Sequence, residues 1–138
     1  MAEITLAPEA EEIELAGMLA QMLSAGLERP EKEKIFNSLK ARVFIYVTDM
    51  DLGMTMDFDR GRLTVHGGEV GKPDISILTD SETLLDLVYI NITFGMPNFF
   101  DETGRGIVKR LLKGDLKIKG MFTHLVALIK VTKVISVN

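Results

Sequence analysis

The chain has 138 residues, of which 46% are hydrophobic and 26% charged, with a formal net charge of −4 and no cysteine. That length predicts one domain, 1–138, with room for a proper hydrophobic core. The missing cysteines exclude disulfides, thiolate catalysis and Cys-ligated zinc or iron–sulfur centres.

A cysteine-free chain suits a reducing cytosol, and the acidic start Met1-Ala2-Glu3-Ile4 lacks the basic region of a secretory signal. A cytoplasmic protein is therefore expected. The longest apolar stretches, Ile13–Leu27 and Met121–Val137, are interrupted by Glu14 and Gln21 and by His124, Lys130 and Lys133. A spanning helix needs roughly 20 largely uncharged residues, so neither reads as transmembrane. The charge is uneven: residues 1–40 carry 8 acids and 4 bases, 41–100 carry 9 and 4, and 101–138 carry 3 and 8. The basic last third is either a solvated face or a surface with weak attraction for anionic lipid or acidic partners. Nucleic acid is not expected as a partner, because Phe94, Phe99, Phe100 and Phe122 sit in apolar contexts rather than on a basic strand.

In chain order, Pro8 followed by Glu9, Glu11, Glu12 and Glu14 predicts a helix start, with acids at the positive end of the dipole. The helix should run to about Leu27, with an apolar set (Ile13, Leu15, Ala16, Leu19, Met22, Leu23) wider than one stripe. Such a helix is either deeply packed or shared with a second subunit, making a homodimer through this element one expectation. Pro30-Glu31 opens a second helix carrying Ile35, Phe36 and Leu39. Ala41–Met50 is β-branched and apolar on both faces, as in a covered strand. Met54, Met56 and Phe58 then alternate with polar residues, Arg60-Gly61 turns, and Leu63 and Val65 alternate again, which predicts a meander. After a glycine-rich loop at 67–73, Asp74–Thr79 reads as the next strand.

Thr79-Asp80-Ser81-Glu82 is a capping signature for a helix from about Ser81 to Tyr89. Ile90–Gly106, with Gly95, Pro97, Gly104 and Gly106, is expected to be loop and broken helical turns. Ile107–Leu112 reads as helix ended by Gly114, and Asp115–Lys119 as a short strand with Leu116 and Ile118 inward. From Gly120 a last helix would place Phe122, Leu125, Val126 and Ile129 on one face, while β-branched Val131–Val137 could also form strand.

Catalytic chemistry is poorly represented. His66 and His124 are isolated, with no HxH, HxxxH or HExxH spacing, so no zinc site is expected. Asp49, Asp51, Asp57 and Asp59 cluster, and Asp57 and Asp59 share a strand face. They read as a cation or acid–base site or, with no EF-hand spacing, as the solvated side of a strand. There is no GxSxG elbow, P-loop or GxGxxG fingerprint, and Gly104-Arg105-Gly106 is too short to cradle a phosphate. No metal, cofactor or catalytic residue is expected. What remains is apolar: the helices near 81–90, 107–112 and 121–130, the strand face of Met54, Met56 and Phe58, and 8 methionines suited to adaptable surfaces. Composition fits a filled core and a ligand cavity equally well.

Two stretches resemble the sterol carrier protein type-2 family. One is KPDISILTDSETLLDLV, where Lys72, Asp74 and Asp80 match a strand–helix junction. The other is GDLKIKG, where Gly114, Leu116, Lys117, Ile118, Lys119 and Gly120 match the strand before a final apolar helix. With the order of elements upstream, the resemblance spans roughly residues 33–135. It implies an α+β fold: a twisted five-stranded, mostly antiparallel sheet covered by helices around an apolar tunnel. An extra N-terminal helix (8–29) would precede the lipid-binding part (30–138). It also implies a non-catalytic binder of a sterol, fatty acid, acyl chain or isoprenoid. The lining implied is Leu84, Leu87, Val88, Leu111, Phe122, Leu125, Val126 and Ile129, with Met54 and Met56 from the sheet. The ending Ser136-Val137-Asn138 departs from a peroxisomal SKL-type signal. Members of the family also serve as accessory domains, so the second reading is a filled scaffold that docks a partner, or dimerises, through the helix at 9–27.

Overall fold

The computed structural model describes residues 3–93 and 96–136, so Phe94, Gly95 and Val137 of the expectations above lie outside the described residues. A strand, β1 (Glu3–Leu6), opens the chain, followed by a 3-10 turn at Pro8–Ala10 and helices α1 (Glu14–Gly26) and α2 (Pro30–Ser38). The middle of the chain forms β2 (Lys40–Val47), β3 (Leu52–Asp59), β4 (Arg62–Gly67), β5 (Ile75–Thr79) and α3 (Ser81–Val88). Short strands β6 (Ile92–Thr93) and β7 (Met96–Pro97) precede α4 (Glu102–Lys113), β8 (Lys117–Lys119) and α5 (Leu125–Ile135).

The fold is α+β. Its main sheet runs β1-β4-β3-β2-β5-β8, and β6 and β7 pair separately. Antiparallel pairing joins β2–β3, β3–β4 and β5–β8, while β1–β4 and β2–β5 are parallel. Among the described residues the sheet has six strands where five were expected. The sixth is β1, whose Ile4 and Leu6 stand opposite Leu63 and Val65 of β4. Four residues are too few for periodicity to announce a strand; its pairing with β4 makes it one.

The helix expected from Pro8 is broken into the 3-10 turn and α1. Tertiary contacts decide this: Ala7 N–H donates to the Val65 carbonyl at 2.9 Å, and residues Glu9 and Ile13 lie against Gly67 at the end of β4. The meander follows its pattern, with Arg60 (φ 46°) and Gly61 (φ 95°) both left-handed in the β3–β4 turn. Alternation puts Val43, Ile45, Met54, Met56, Phe58, Leu63, Val65, Ile75 and Ile77 on one sheet face, all buried. Phe36 of α2 meets Phe58 edge-on there, with ring centroids 6.1 Å apart at 78°.

The wide apolar face of α1 is used within the chain: Ala16, Leu19 and Leu23 are buried in the core, and α1 packs on β1 and α5. Val131–Ile135, left open between helix and strand, is the end of α5. A polar latch fixes that end. Buried Lys32 of α2 donates to the Ser136 carbonyl, and the Ser136 hydroxyl donates to the Ile90 carbonyl at 2.5 Å. Burial holds the Lys32 ammonium below its ordinary pKa.

Candidate ligand-binding site

Most polar motif residues prove to be joints. The Asp80 carboxylate caps α3 by accepting from Thr83 N–H at 2.7 Å, and Asp49 accepts from Ser81 N–H at 2.9 Å and from its hydroxyl at 2.5 Å. These hydrogen bonds hold both carboxyls below their ordinary pKa. Asp74 accepts from the Arg42 backbone amide at 2.9 Å, joining the start of β5 to β2. Gly114 (φ 86°) and Gly120 (φ 82°) turn the chain on either side of β8, and a side chain at 120 would overlap the Asp74 carbonyl.

The acidic cluster divides, with Asp57 and Asp59 still together on β3 beside Lys40, Arg42 and Lys72. Asp51 accepts from the Tyr46 hydroxyl, and Asp57 pairs with Arg42 at 3.3 Å. Among the described residues no group of three or more His, Asp and Glu is placed to hold a metal ion. His66 lies 3.4 Å from Glu9, and His124 lies 3.8 Å from Asp74 and 3.1 Å from the Thr123 hydroxyl. His66 stands in β4 and Asp74 leads into β5, strands three places apart in the sheet, or about 14 Å. The two histidines do not meet.

The site that does form is an apolar cavity of about 300 Å³ over the β2–β5–β8 end of the sheet. Its floor is Ile45, Ile77 and Ile118. α3 contributes Leu84 and Leu87; α4 contributes Ile107, Val108 and Leu111; α5 contributes Leu125, Leu128, Ile129 and Ile135. Met96, Pro97 and Phe99, on the β6–β7 hairpin and just after it, close one side. Among the described residues Thr132 is the one polar residue in the lining, and its hydroxyl already donates to the Leu128 carbonyl at 2.9 Å. The volume is at the low end for small-molecule sites, and about twice an apolar cavity known to accept benzene. Met96, Phe99 and Leu125 line the cavity yet are 48%, 40% and 48% exposed, so they mark its mouth.

Of the residues expected in the lining, Leu84, Leu87, Leu111, Leu125 and Ile129 come together here. Five do not. Met54 and Met56 share the sheet face but stand in β3, at 0% exposure within the core. Val88 is buried one position past the cavity wall in α3. Phe122 and Val126 face water at 87% and 68% exposure. For Phe122 the cause is the start of α5, which begins at Leu125 rather than Gly120. Phe122 consequently sits in a turn, and Val126 lies about 100° round the helix from Leu125.

The hairpin wall was absent from the expectation, and so was the first turn of α4. Asp101 caps α4 by accepting from Gly104 N–H at 2.7 Å, and this bond, followed by one from Asn91, holds its carboxyl below the ordinary pKa. A side chain at Gly104 would overlap the Asn98 carbonyl and press on the Phe99 backbone. That glycine is what allows the chain carrying Phe99 to lie on α4. The signal was present in Asp101 and Gly104, but it reads as a cap and a close approach only once the hairpin is in place.

These features define a class: an α+β domain whose sheet and helices enclose an apolar chamber beside a filled core. A model of the SCP-2 sterol transfer family matches residues 19–93, more than half of the chain, and the chain belongs to that family. The match begins within α1 and contains the KPDISILTD junction; GDLKIKG lies beyond it. No curated protein matches the chain. Among solved structures, one described as "UbiJ-SCP2 Ubiquinone synthesis protein" is similar with a TM-score of 0.60 at 14% identity, over 87% of this chain and 90% of that one. Another, described as "Crystal structure of sterol carrier protein 2", is similar with a TM-score of 0.53 at 15% identity, over 87% and 92%. At these identities the likeness establishes the shared fold. Among the described residues no helix is long and apolar enough to cross a membrane.

Proposed function

We propose that this domain is a non-catalytic, cytoplasmic binder or carrier of an apolar ligand, holding a hydrocarbon segment in the cavity between the β2–β5–β8 floor and α3, α4 and α5. The observation that carries this reading is the cavity itself, about 300 Å³ with walls of Leu, Ile, Val, Met, Pro and Phe. Membership of a sterol transfer family supports it. Each methylene buried there contributes about 0.8 kcal/mol. The one hydroxyl in the wall is already engaged, so chain shape rather than a polar contact would select the ligand. A sterol, fatty acid, acyl chain or isoprenoid each supplies such a segment, and Leu84, Leu87, Leu111, Leu125 and Ile129 would be its contacts.

The reading is tested by native mass spectrometry of freshly purified protein together with displacement of a fluorescent fatty acid. Co-purified lipid or saturable, competable probe binding is expected. Absence of both co-purified lipid and saturable binding would count decisively against a carrier. The scaffold reading draws no comparable support from the helix at 9–27, since its apolar residues Ala16, Leu19 and Leu23 are buried in the chain's own core.

A further inference from the structure

Three walls of the cavity meet at one charged residue that is not itself in the lining. Leu111 of α4 lines the cavity, whereas Arg110, its chain neighbour, turns toward α3. The guanidinium forks: Nη1 donates to the Asp86 carboxylate and Nη2 to the Glu82 carboxylate at 3.3 Å. These two acids are four residues apart on α3, so both lie on the flank that meets α4. Asp86 directly precedes Leu87, which lines the cavity together with Leu84. The Arg110 carbonyl accepts from Asp115 N–H at 3.0 Å and from Leu116 N–H at 3.2 Å. Leu116, just before β8, is a further lining residue. One residue thereby ties α4 to α3 by its side chain and to the approach of β8 by its backbone.

The tie matters because α4 is otherwise lightly held. It packs chiefly against α3, and its first turn rests on the Asn98–Phe99 backbone at Gly104. Near its other end Leu112 is 83% exposed. Among the described residues no other ion pair joins α3 and α4. Isolated surface pairs contribute little, but a guanidinium fork held between two carboxylates fixes direction as well as distance. The Arg110 and Asp86 side chains are 26% and 37% exposed, so water only partly screens that arm of the fork. Without the fork, α4 is free to move away from α3, and the cavity between them widens.

Width decides what enters. A cavity of about 300 Å³ is about twice the size of one that accepts benzene, and in proportion holds roughly a dozen carbon atoms. The fused rings of a sterol alone contain more. A straight chain can enter by one end and leave its remainder at the mouth, beside Met96, Phe99 and Leu125. We propose that Arg110 is a positioning residue: by fixing α4 against α3 it keeps the cavity narrow, so that a slender hydrocarbon chain enters and a fused-ring sterol is refused. The proposal rests on the reading of the cavity as a ligand site, and it concerns what sets the selectivity of that site.

The test titrates the full chain with parinaric acid, a straight-chain fluorescent fatty acid, and with dehydroergosterol, a fluorescent sterol. Wild type should bind the fatty acid at least about ten-fold more tightly, the lower end of what one methylene decides in an apolar pocket. Arg110→Met removes the charge but keeps an unbranched side chain, and should bring that ratio close to one by tightening sterol binding. Asp86→Asn breaks the same contact from α3 and should act in the same direction, so the result does not hang on one variant folding. Arg110→Asp combined with Asp86→Arg reverses the pair and should restore the wild-type ratio. Lys109→Met, exposed on α4 and in no ion pair among the described residues, should leave the ratio unchanged. Cooperative thermal unfolding verifies the folding of each variant.

Wild type that binds the sterol as tightly as the fatty acid overturns the proposal. So does a wild-type ratio in Arg110→Met and Asp86→Asn, including a loss of both probes in equal proportion, which marks general loosening. A reversed pair no better than Arg110→Asp alone overturns it as well. Each of these outcomes leaves the carrier reading intact, because wild type still takes up the fatty acid. Wild type that binds neither probe instead removes the carrier reading, and the selectivity with it.

Discussion

The two ends of the inner sheet face are built from the same residue types and do opposite things. Over β2, β3 and β4, Val43, Met54, Met56, Phe58 and Leu63 are at 0–1% exposure in the continuous core. Over β2, β5 and β8, Ile45, Ile77 and Ile118 floor a chamber of about 300 Å³. The difference lies in what covers them. Phe36 of α2 meets Phe58 at the first end, whereas α3, α4, α5 and the hairpin surround the second at a distance. A polar latch of Lys32, Ser136 and Ile90 holds the end of α5 in place. Hydrophobic composition made both ends; the placement of the covering helices left one of them hollow.

The largest expected effect tests the filled end. Phe58→Ala removes a fully buried ring and its edge-on contact with Phe36, and should cost about 3–5 kcal/mol in denaturant unfolding. A loss under about 1 kcal/mol would show that this end is not tightly packed. Next, Val43→Phe and Ile129→Phe set the two ends against each other. The first overfills a packed position and should destabilise by about 1–3 kcal/mol. The second projects into empty volume, so it should leave thermal stability nearly unchanged while sharply weakening fatty-acid probe binding. Equal destabilisation by both erases the distinction. Gly104→Ala should cost about 1–3 kcal/mol by forcing the Asn98–Phe99 backbone off α4, and should loosen probe binding as well, because Phe99 belongs to the wall.

The smallest effect is at the joint that sets α3 over the cavity. Asp80→Ala should cost about 1 kcal/mol at neutral pH by removing the α3 cap. Because Thr83 holds the Asp80 carboxyl below its ordinary value of 3.8, its contribution is complete above that value and disappears as pH falls through the lower folded-state value. The difference in unfolding temperature between wild type and variant should therefore close in acid. A difference that persists unchanged at low pH would mean that the carboxylate is not the stabilising group.

Where a single local rule decides, the sequence is legible. Alternation fixed β3 and β4, Asp80 marked the start of α3, and glycines 114 and 120 framed β8, because each signal acts within a few residues. Three features depend on partners distant in the chain and stayed hidden. β1 is a strand only through β4. The 3-10 turn at Pro8 departs from α1 because Glu9 and Ile13 rest on Gly67. The hairpin reaches the cavity because Gly104 lets the chain close on α4. At the site, the family resemblance named Leu84, Leu87, Leu111, Leu125 and Ile129, which the structure brings together, but it also named Phe122 and Val126, which lie outside. The later start of α5, at Leu125, leaves Phe122 in a turn outside the wall. Met54 and Met56 show the deeper limit, since an inward residue over a filled core and one over a chamber follow the same pattern.

The central claim, a filled end beside a hollow one that takes an apolar chain, is tested most directly by methyl NMR with a fatty acid spin-labelled near its methyl end. The account predicts strong, saturable broadening of the Leu84, Leu87, Leu111 and Ile129 methyls, with Val43, Met54, Met56 and Leu63 much less affected and unlabelled fatty acid reversing the effect. Broadening confined to exposed methyls such as Leu112 and Val126, or equal at Met56 and Ile129, would contradict it.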